Sequence, residues 1–329
     1  MENTTRTPGH FIISIDVEAM WGWFYREDPV VAEARFAEFR EIFQRLVDTL
    51  DRYRMPATFA FVGHLLLSEC SCDDGIAHPD VLCPDYDWYP GHWHEADPCT
   101  SVEENPAWYG SDLLAMVRDA DMPHEVGCHT FSHIMVGDPA CSRQIFLSQL
   151  RACRTLHEER GLPFTSFVYP RNKCAYMDAV AEVGLRAYRG PERTWYTTLP
   201  GKLRRAGHLL HRLLAIAPPV YDLPTATALP VNVPASMLLY PRGGIRNLVP
   251  LISRQLQAYK GLQRAAAQSR LFHLWLHPHN FIGASALFGV LEAILSRANE
   301  LRARGSLRSL TIAQYVDLTL RGSPPPRET

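Results

Sequence analysis

The chain has 329 residues, 47% apolar and 21% charged, with 33 Lys and Arg against 35 Asp and Glu for a formal charge of −2. This is globular composition, which excludes a collagen-like repeat, a disordered polyelectrolyte and a continuous coiled coil. No apolar run reaches the ~18 residues of a membrane span, and eight cysteines in a chain this long do not make a disulfide scaffold, so they are expected as thiols.

The chain opens MENTTRTPGHFIISID, with no apolar stretch and small-residue cleavage site ahead of the first strand-like run, which predicts a cytoplasmic protein. FIISID (11–16) and ATFAFVG (57–63) read as strands, and Phe39, Ile42, Phe43, Leu46, Val47 and Leu50 recur between them at helical spacing. Residues 68–107 then break the alternation. They are rich in Asp, Pro, Trp and His without periodicity, and a loop of that length inside a compact domain tends to be functional or disordered. The aromatic residues Tyr86, Trp88, Tyr89, Trp93 and Trp108 favour an ordered cap.

Further strands are expected at 124–129, 165–170, 185–190, 229–234, 271–277 and 307–312, with helices at Cys141 to Arg160, Leu248 to Ala267 and Ala284 to Arg304. Strands alternating with helices imply a mainly parallel sheet, and this number of units implies a closed or nearly closed α/β barrel. The whole of 1–329 therefore reads as one domain with two insertions, the acidic aromatic loop at 68–107 and a basic segment at 191–228. In the second, GKLRRAGHLLHRLLAIAPP reads as a basic amphipathic helix stopped by Pro218 and Pro219. The tail SPPPRET is expected to fray.

Charge is unevenly distributed along this chain. Residues 68–125 carry fourteen acids against Arg118, whereas residues 200–270 carry ten Lys and Arg against Asp222. A basic segment of that kind can hold phosphate or lie on an anionic membrane, and it can equally be a solvated surface.

In a parallel α/β barrel, catalytic groups sit at the carboxyl ends of strands. Here those ends are Asp16-Val17-Glu18, His129 to His133, Pro170-Arg171-Asn172 and His277-Pro278-His279. Asp16 alone reads equally as a helix cap, and His277 as a satisfied core histidine. His129 and His133 have the i, i+4 spacing that places two imidazoles on one side of a helical turn. Two histidines and a carboxylate make a three-ligand site with a position left for water, as catalytic zinc requires.

This ordered set resembles the polysaccharide deacetylase family, also called NodB-like or carbohydrate esterase family four. The motifs that carry the resemblance are SIDVE (14–18), HTFSH (129–133), FVYPRN (167–172), YRGPERTW (188–195) and LWLH (274–277). It implies a distorted (β/α) barrel of about seven units, a divalent metal, usually Zn²⁺, and hydrolysis of an acyl group on a sugar. The commoner first motif has two adjacent Asp, but Val17 occupies the second position here. The ligand role therefore passes to Glu18 beside His129 and His133, with Asp16 as base, or the two acids exchange roles. The Arg often found two residues before the Pro of the third motif is Val168, and Arg171 stands in the usual Tyr position as a replacement charge. His277 is expected to protonate the leaving amine, with His279 in reserve, and the expected substrate contacts are Trp21, Trp88, Trp93, Arg189, Trp195 and His279.

The resemblance predicts a metal-dependent N-deacetylase of an amino sugar. The basic insertion and the cytoplasmic expectation favour a nucleotide-linked or polyprenyl-phosphate-linked sugar, with peripheral contact of 202–216 at the inner membrane face and no nucleic-acid partner. The competing readings are a deformylase or another C–N hydrolase of this fold, with or without metal, and an inactive carbohydrate-binding relative. A structural zinc among Cys70, Cys72, His78, Cys83, His92, His94 and Cys99 is disfavoured, because their spacing fits no standard pattern.

Overall fold

A computed structural model describes residues 7–26, 31, 33–34, 36–224, 228–241 and 243–321. The expectation for the tail SPPPRET lies outside the described residues. The elements in chain order are β1 (Gly9–Val17), α1 (Phe39–Arg52), β2 (Thr58–Phe61), β3 (Cys72–Asp73), β4 (Ile76–Ala77), α2 (Ser111–Arg118), β5 (Glu125–Cys128), α3 (Arg143–Glu159), β6 (Ser166–Val168), α4 (Met177–Glu182), β7 (Ala187–Arg189), α5 (Gly201–Leu213), β8 (Val231–Asn232), β9 (Met237–Leu238), α6 (Leu251–Gln268), β10 (Leu271–Leu276), α7 (Ala286–Ala303), β11 (Leu307–Leu310) and α8 (Ile312–Arg321).

β1 is central: all nine of its residues are buried, as a parallel strand covered on both sides requires. It pairs in parallel with β2, β10 and β11. The main sheet runs β8-β7-β6-β5-β2-β1-β10-β9, with β11 on β1. It curls until its ends meet in one stretch of chain. Val233 N–H and Ala235 N–H donate to the carbonyls of Tyr188 and Gly190 beside β7, whereas Ser236 N–H and Leu239 N–H donate to those of His273 and Trp275 on β10. The result is a curled parallel α/β sheet surrounded by helices.

α1 shows why the helices lie where they do. Phe39, Ile42, Phe43, Leu46, Val47 and Leu50 make one buried stripe, each worth about 1.5–3 kcal/mol of burial. Because every strand of this sheet runs the same way, the pairs Asp16 with Ala60, Phe61 with Cys128 and Val168 with Arg189 bring the strand ends to a common rim.

The loop at 68–107 is ordered. Its two-stranded hairpin β3–β4 and a 3₁₀ turn at Trp93–Ala96 are packed down by buried Tyr86 and Trp93. Cys72 and Cys99 form a disulfide with Cα atoms 5.6 Å apart, which corrects the expectation that all cysteines are thiols. Loop ordering brings together two residues 27 apart in sequence, a proximity that spacing alone does not reveal. The remaining six cysteines are free.

Candidate active site

The rim is built by strand alternation. Successive side chains of a strand point to opposite faces, so Ser14 and Asp16 share the face that turns inward and Val17 joins the apolar core. The chain then enters a tight turn at Ala19–Gly22, which swings Glu18 back over the strand end. Gly22 permits this: a Cβ there would sit 2.2 Å from Glu18 Oε2.

Glu18 Oε1 lies 3.3 Å from His129 Nε2, 3.0 Å from His133 Nε2 and 3.4 Å from His277 Nε2. The expected helical turn at 129–133 is not formed. Thr130 and His133 both have left-handed backbone (φ 59° and 56°), and Gly63 and His64 N–H groups donate to the carbonyls of Thr130 and Phe131. This pinned loop still brings the imidazoles together, with ring centroids 5.1 Å apart.

The donor chemistry fits a cation. His129 Nδ1 donates to the Val168 carbonyl at 2.7 Å, which turns Nε2 toward the Glu18 carboxylate. Burial pushes His133 below the usual histidine value, and burial would raise Glu18, but the imidazoles around it hold its carboxyl well below the usual range. A carboxylate facing two imidazole nitrogens is a ligand set for a divalent metal.

Asp16 sits beside this group, 3.6 Å from His277 Nε2. Both its oxygens accept from Arg189, at 2.5 and 2.6 Å. Burial favours the protonated acid, but Arg189 and then His277 outweigh it and keep Asp16 below its ordinary value. His277 runs the other way: burial opposes its charge, yet Glu18 and Asp16 together raise it. A second group of donors, Glu18, His277 and His279, lies within 4.8 Å.

Several expectations need correction. Arg189 is fully buried and spent on Asp16, Ser14 and Asn172, so it orients the acid and is not open to a substrate. Arg171, expected at the reacting centre, lies on the exposed rim and donates to the Tyr25 hydroxyl at 2.8 Å. Trp21 and Trp93 are fully buried and donate to the carbonyls of Trp108 and Ser132; each large ring is used to pack the loop. Trp195 is half-exposed but packs on α5 and donates to His211 Nδ1. Trp88 stands at the mouth, in a cleft lined also by Tyr25, Arg26, Asp138, Arg171 and Lys173. His279 lies beside His277 with ring centroids 4.7 Å apart.

The sequence reading missed the layer beneath. Ser14 Oγ is 3.0 Å from Arg189 and 2.9 Å from His273 Nε2, and Asn172 Oδ1 accepts from Arg189 at 3.0 Å. Their signal was period two: Ser14 precedes Asp16, and His273 precedes His277, at even spacing on the same strand face.

A curled parallel sheet carrying a carboxylate and two histidines at its strand ends is an α/β fold of the NodB-like type. Residues 34–188 match the family model described as polysaccharide deacetylase, and this match supports a hydrolase of the carbohydrate N-deacetylase class. Among solved structures, a protein from Mycobacterium smegmatis described as a polysaccharide deacetylase aligns with TM-score 0.63 at 15% identity over 99% of this chain and 95% of its own. A similarly described protein from Pseudomonas aeruginosa PAO1 gives 0.56 at 12% over 96% and 92%. Puue allantoinase gives 0.57 at 11% over 96% and 91%. At these identities the likeness is one of fold. A search of curated proteins returns no match.

Proposed function

We propose that the protein uses a divalent metal, Zn²⁺ by the donor set, to remove an acetyl group from an amino sugar carried on a phosphate-bearing precursor. The observation that carries the reading is the convergence of Glu18 with His129 and His133, beside an Asp16–His277 pair. A metal held by Glu18, His129 and His133 supplies an acidified water and a polarised acyl oxygen. Asp16, held by Arg189, accepts the proton of the attacking water, and its ionised form is the competent base. His277, placed between the two acids, protonates the departing sugar amine. The complete donor set argues against an inactive binding protein and against the metal-free branch.

The mouth supports an anionic substrate. Arg26, Arg171 and Lys173 line the cleft against Asp138, and the Tyr25 ring lies over His133 with centroids 6.4 Å apart. A phosphate substituent on the sugar meets those cations while the acyl group reaches Glu18.

The second support is α5 with its neighbours. Leu203, Leu210 and Leu214 are 61%, 48% and 60% exposed, so they do not serve as packing against the barrel. The helix buries Gly207, His211 and Arg212 instead. Exposed leucines flanked by Lys202, Arg204 and Arg205 fit peripheral seating on an anionic membrane, where a lipid-linked sugar resides. A cytoplasmic location at the inner face is the reading we carry forward.

The test is acetate release from N-acetylated nucleotide sugars and polyprenyl-phosphate-linked amino sugars, with and without chelator. Release that chelator abolishes and added metal restores is expected. Undiminished turnover after complete metal removal would sink the reading, and formate as the product would transfer it to a deformylase.

A further inference from the structure

We propose a second metal site, distinct from the rim, formed by His64, Cys70, His78 and Asp97 beneath the acidic loop. The four offer one ligand atom each, and these atoms lie within 4.8 Å of one another. None of the four is a ligand in the proposed active site. His64 lies in the 3₁₀ turn that follows β2, and the other three lie in the 68–107 loop.

The central observation is a pair of imidazole nitrogens aimed at one buried carboxylate oxygen. His64 is fully buried, and its Nδ1 lies 3.2 Å from the Trp108 carbonyl. A carbonyl only accepts, so Nδ1 carries the hydrogen, and in the neutral ring, which burial favours, Nε2 is a lone pair. That lone pair faces Asp97 Oδ2 at 2.6 Å without making a hydrogen bond. His78 Nε2, 3.6 Å from the same oxygen, is likewise without a hydrogen-bond partner. Two imidazole nitrogens directed at one buried carboxylate oxygen repel unless a proton or a metal ion lies among them, and four donor atoms gathered there fit the metal ion.

The rest of the cluster supplies that cation's complement. Cys70 Sγ is 3.5 Å from both oxygens of Asp97. In a tetrahedral zinc site, bonds of about 2.0–2.3 Å place neighbouring ligand atoms roughly 3.3–3.8 Å apart. The Cys70–Asp97 and His78–Asp97 separations already fall there, and the His64–Asp97 edge is shorter. A thiolate and a carboxylate cancel the two charges of Zn²⁺, so the occupied pocket is neutral.

The outer layer is arranged as ligand support requires. Asp97 Oδ1 accepts from the Tyr109 hydroxyl and the Cys99 N–H, both at 3.0 Å, which leaves Oδ2 for the cluster. The Cys72–Cys99 disulfide joins the positions two residues beyond Cys70 and Asp97, and Cys70 N–H donates to the Thr100 carbonyl. His78, with 19% of its side chain exposed, borders an open cleft with Leu67, Val81 and Phe131, which gives a metal its way in. The Trp108 carbonyl that orients His64 also accepts from Trp21, three residues beyond Glu18. The site is structural: it ties the loop to the turn after β2 and steadies the chain that follows the first motif.

The experiment is cobalt substitution of the full chain purified under metal-replete conditions and dialysed free of excess. The proposed active site holds no cysteine, so a near-ultraviolet thiolate-to-cobalt charge-transfer band reports this cluster alone. We expect two metal ions per chain, the band present in the wild type and in Glu18→Gln, and the band lost with one metal in Cys70→Ser. Should Cys70→Ser not fold, Asp97→Asn and the wild-type spectrum and stoichiometry serve in its place. A single metal per chain with no thiolate band overturns the proposal and assigns the His64–Asp97 gap to a proton. A band that persists in a folded Cys70→Ser overturns it too. Loss of metal in Glu18→Gln with the band retained would leave this site standing whatever becomes of the active-site reading.

Discussion

Glu18 and Asp16 are two residues apart, yet their neighbours give them different chemistry. Glu18 is surrounded by imidazole nitrogens, whereas both oxygens of Asp16 are taken by a guanidinium. Glu18→Gln is therefore expected to lose the active-site metal, while Asp16→Asn keeps it and loses about 10²-fold or more in kcat; metal content and rate, measured together, distinguish the roles, and the opposite pattern exchanges them. Gly22→Ala is expected to lower metal occupancy in a folded protein, since the new methyl meets the Glu18 carboxylate that three imidazoles hold in place. Removing Arg189 is a different matter, because it strands a buried charge. Arg189→Met is expected to cost about 3–5 kcal/mol in urea unfolding, and Asp16→Asn in the same chain should recover much of it. Equal losses in the single and double variants would mean that the ion pair is not what Arg189 contributes.

The informative elements are the two insertions. α5 follows the helical period of its sequence, but the period does not reveal which side meets the barrel. His211 and Arg212 face inward and leucines face solvent. Replacing Lys202, Arg204 and Arg205 together by Ala should reduce sedimentation with anionic vesicles by 10²-fold or more, at about 1 kcal/mol per cation near the surface, and leave binding to neutral vesicles unchanged. Equal binding by wild type and variant would make the segment a solvated surface. The acidic loop is fastened by Cys72–Cys99, so unreduced, denatured protein should titrate six thiols, rising to eight on reduction. A bridge that survives in cell extracts prepared with thiols blocked would place the protein in an oxidising compartment and overturn the cytoplasmic expectation; eight thiols would support it.

At the scale of the whole molecule, burial of neutral histidines sets the response to acid. His273 is pushed down to about 3 and His157 to about 4, each by burial first. Both titrate near 6.5 when the chain is unfolded, so between pH 6.5 and about 4 the unfolded state binds more protons. Their contribution is complete above pH 6.5 and is lost as pH falls, by up to about 1.4 kcal/mol per histidine per pH unit. His277, raised by its acids, acts in the opposite sense and offsets part of this. The urea midpoint should fall between pH 6.5 and 4.5; a midpoint that is level or rises on acidification would contradict the burial of these rings.

The sequence by itself determined the barrel and the rim. Apolar runs at strand length and the stripe from Phe39 to Leu50 predict β-α-β units whatever the surroundings, because burial of a periodic face is a local property of the chain. The same holds for Asp16, Glu18, His129, His133 and His277, since parallel strands present their carboxyl ends together. Tertiary structure alone decided what reaches those residues from elsewhere. Arg189 rather than Arg171 pairs with Asp16, because β7 is directed inward while the turn at Arg171 (φ 55°) carries its guanidinium to the rim. The loop residues Cys70, His78 and Asp97 meet His64 through a fold of a non-periodic segment. Contacts made across such distances in sequence follow from the packing of whole elements, and no local period encodes them.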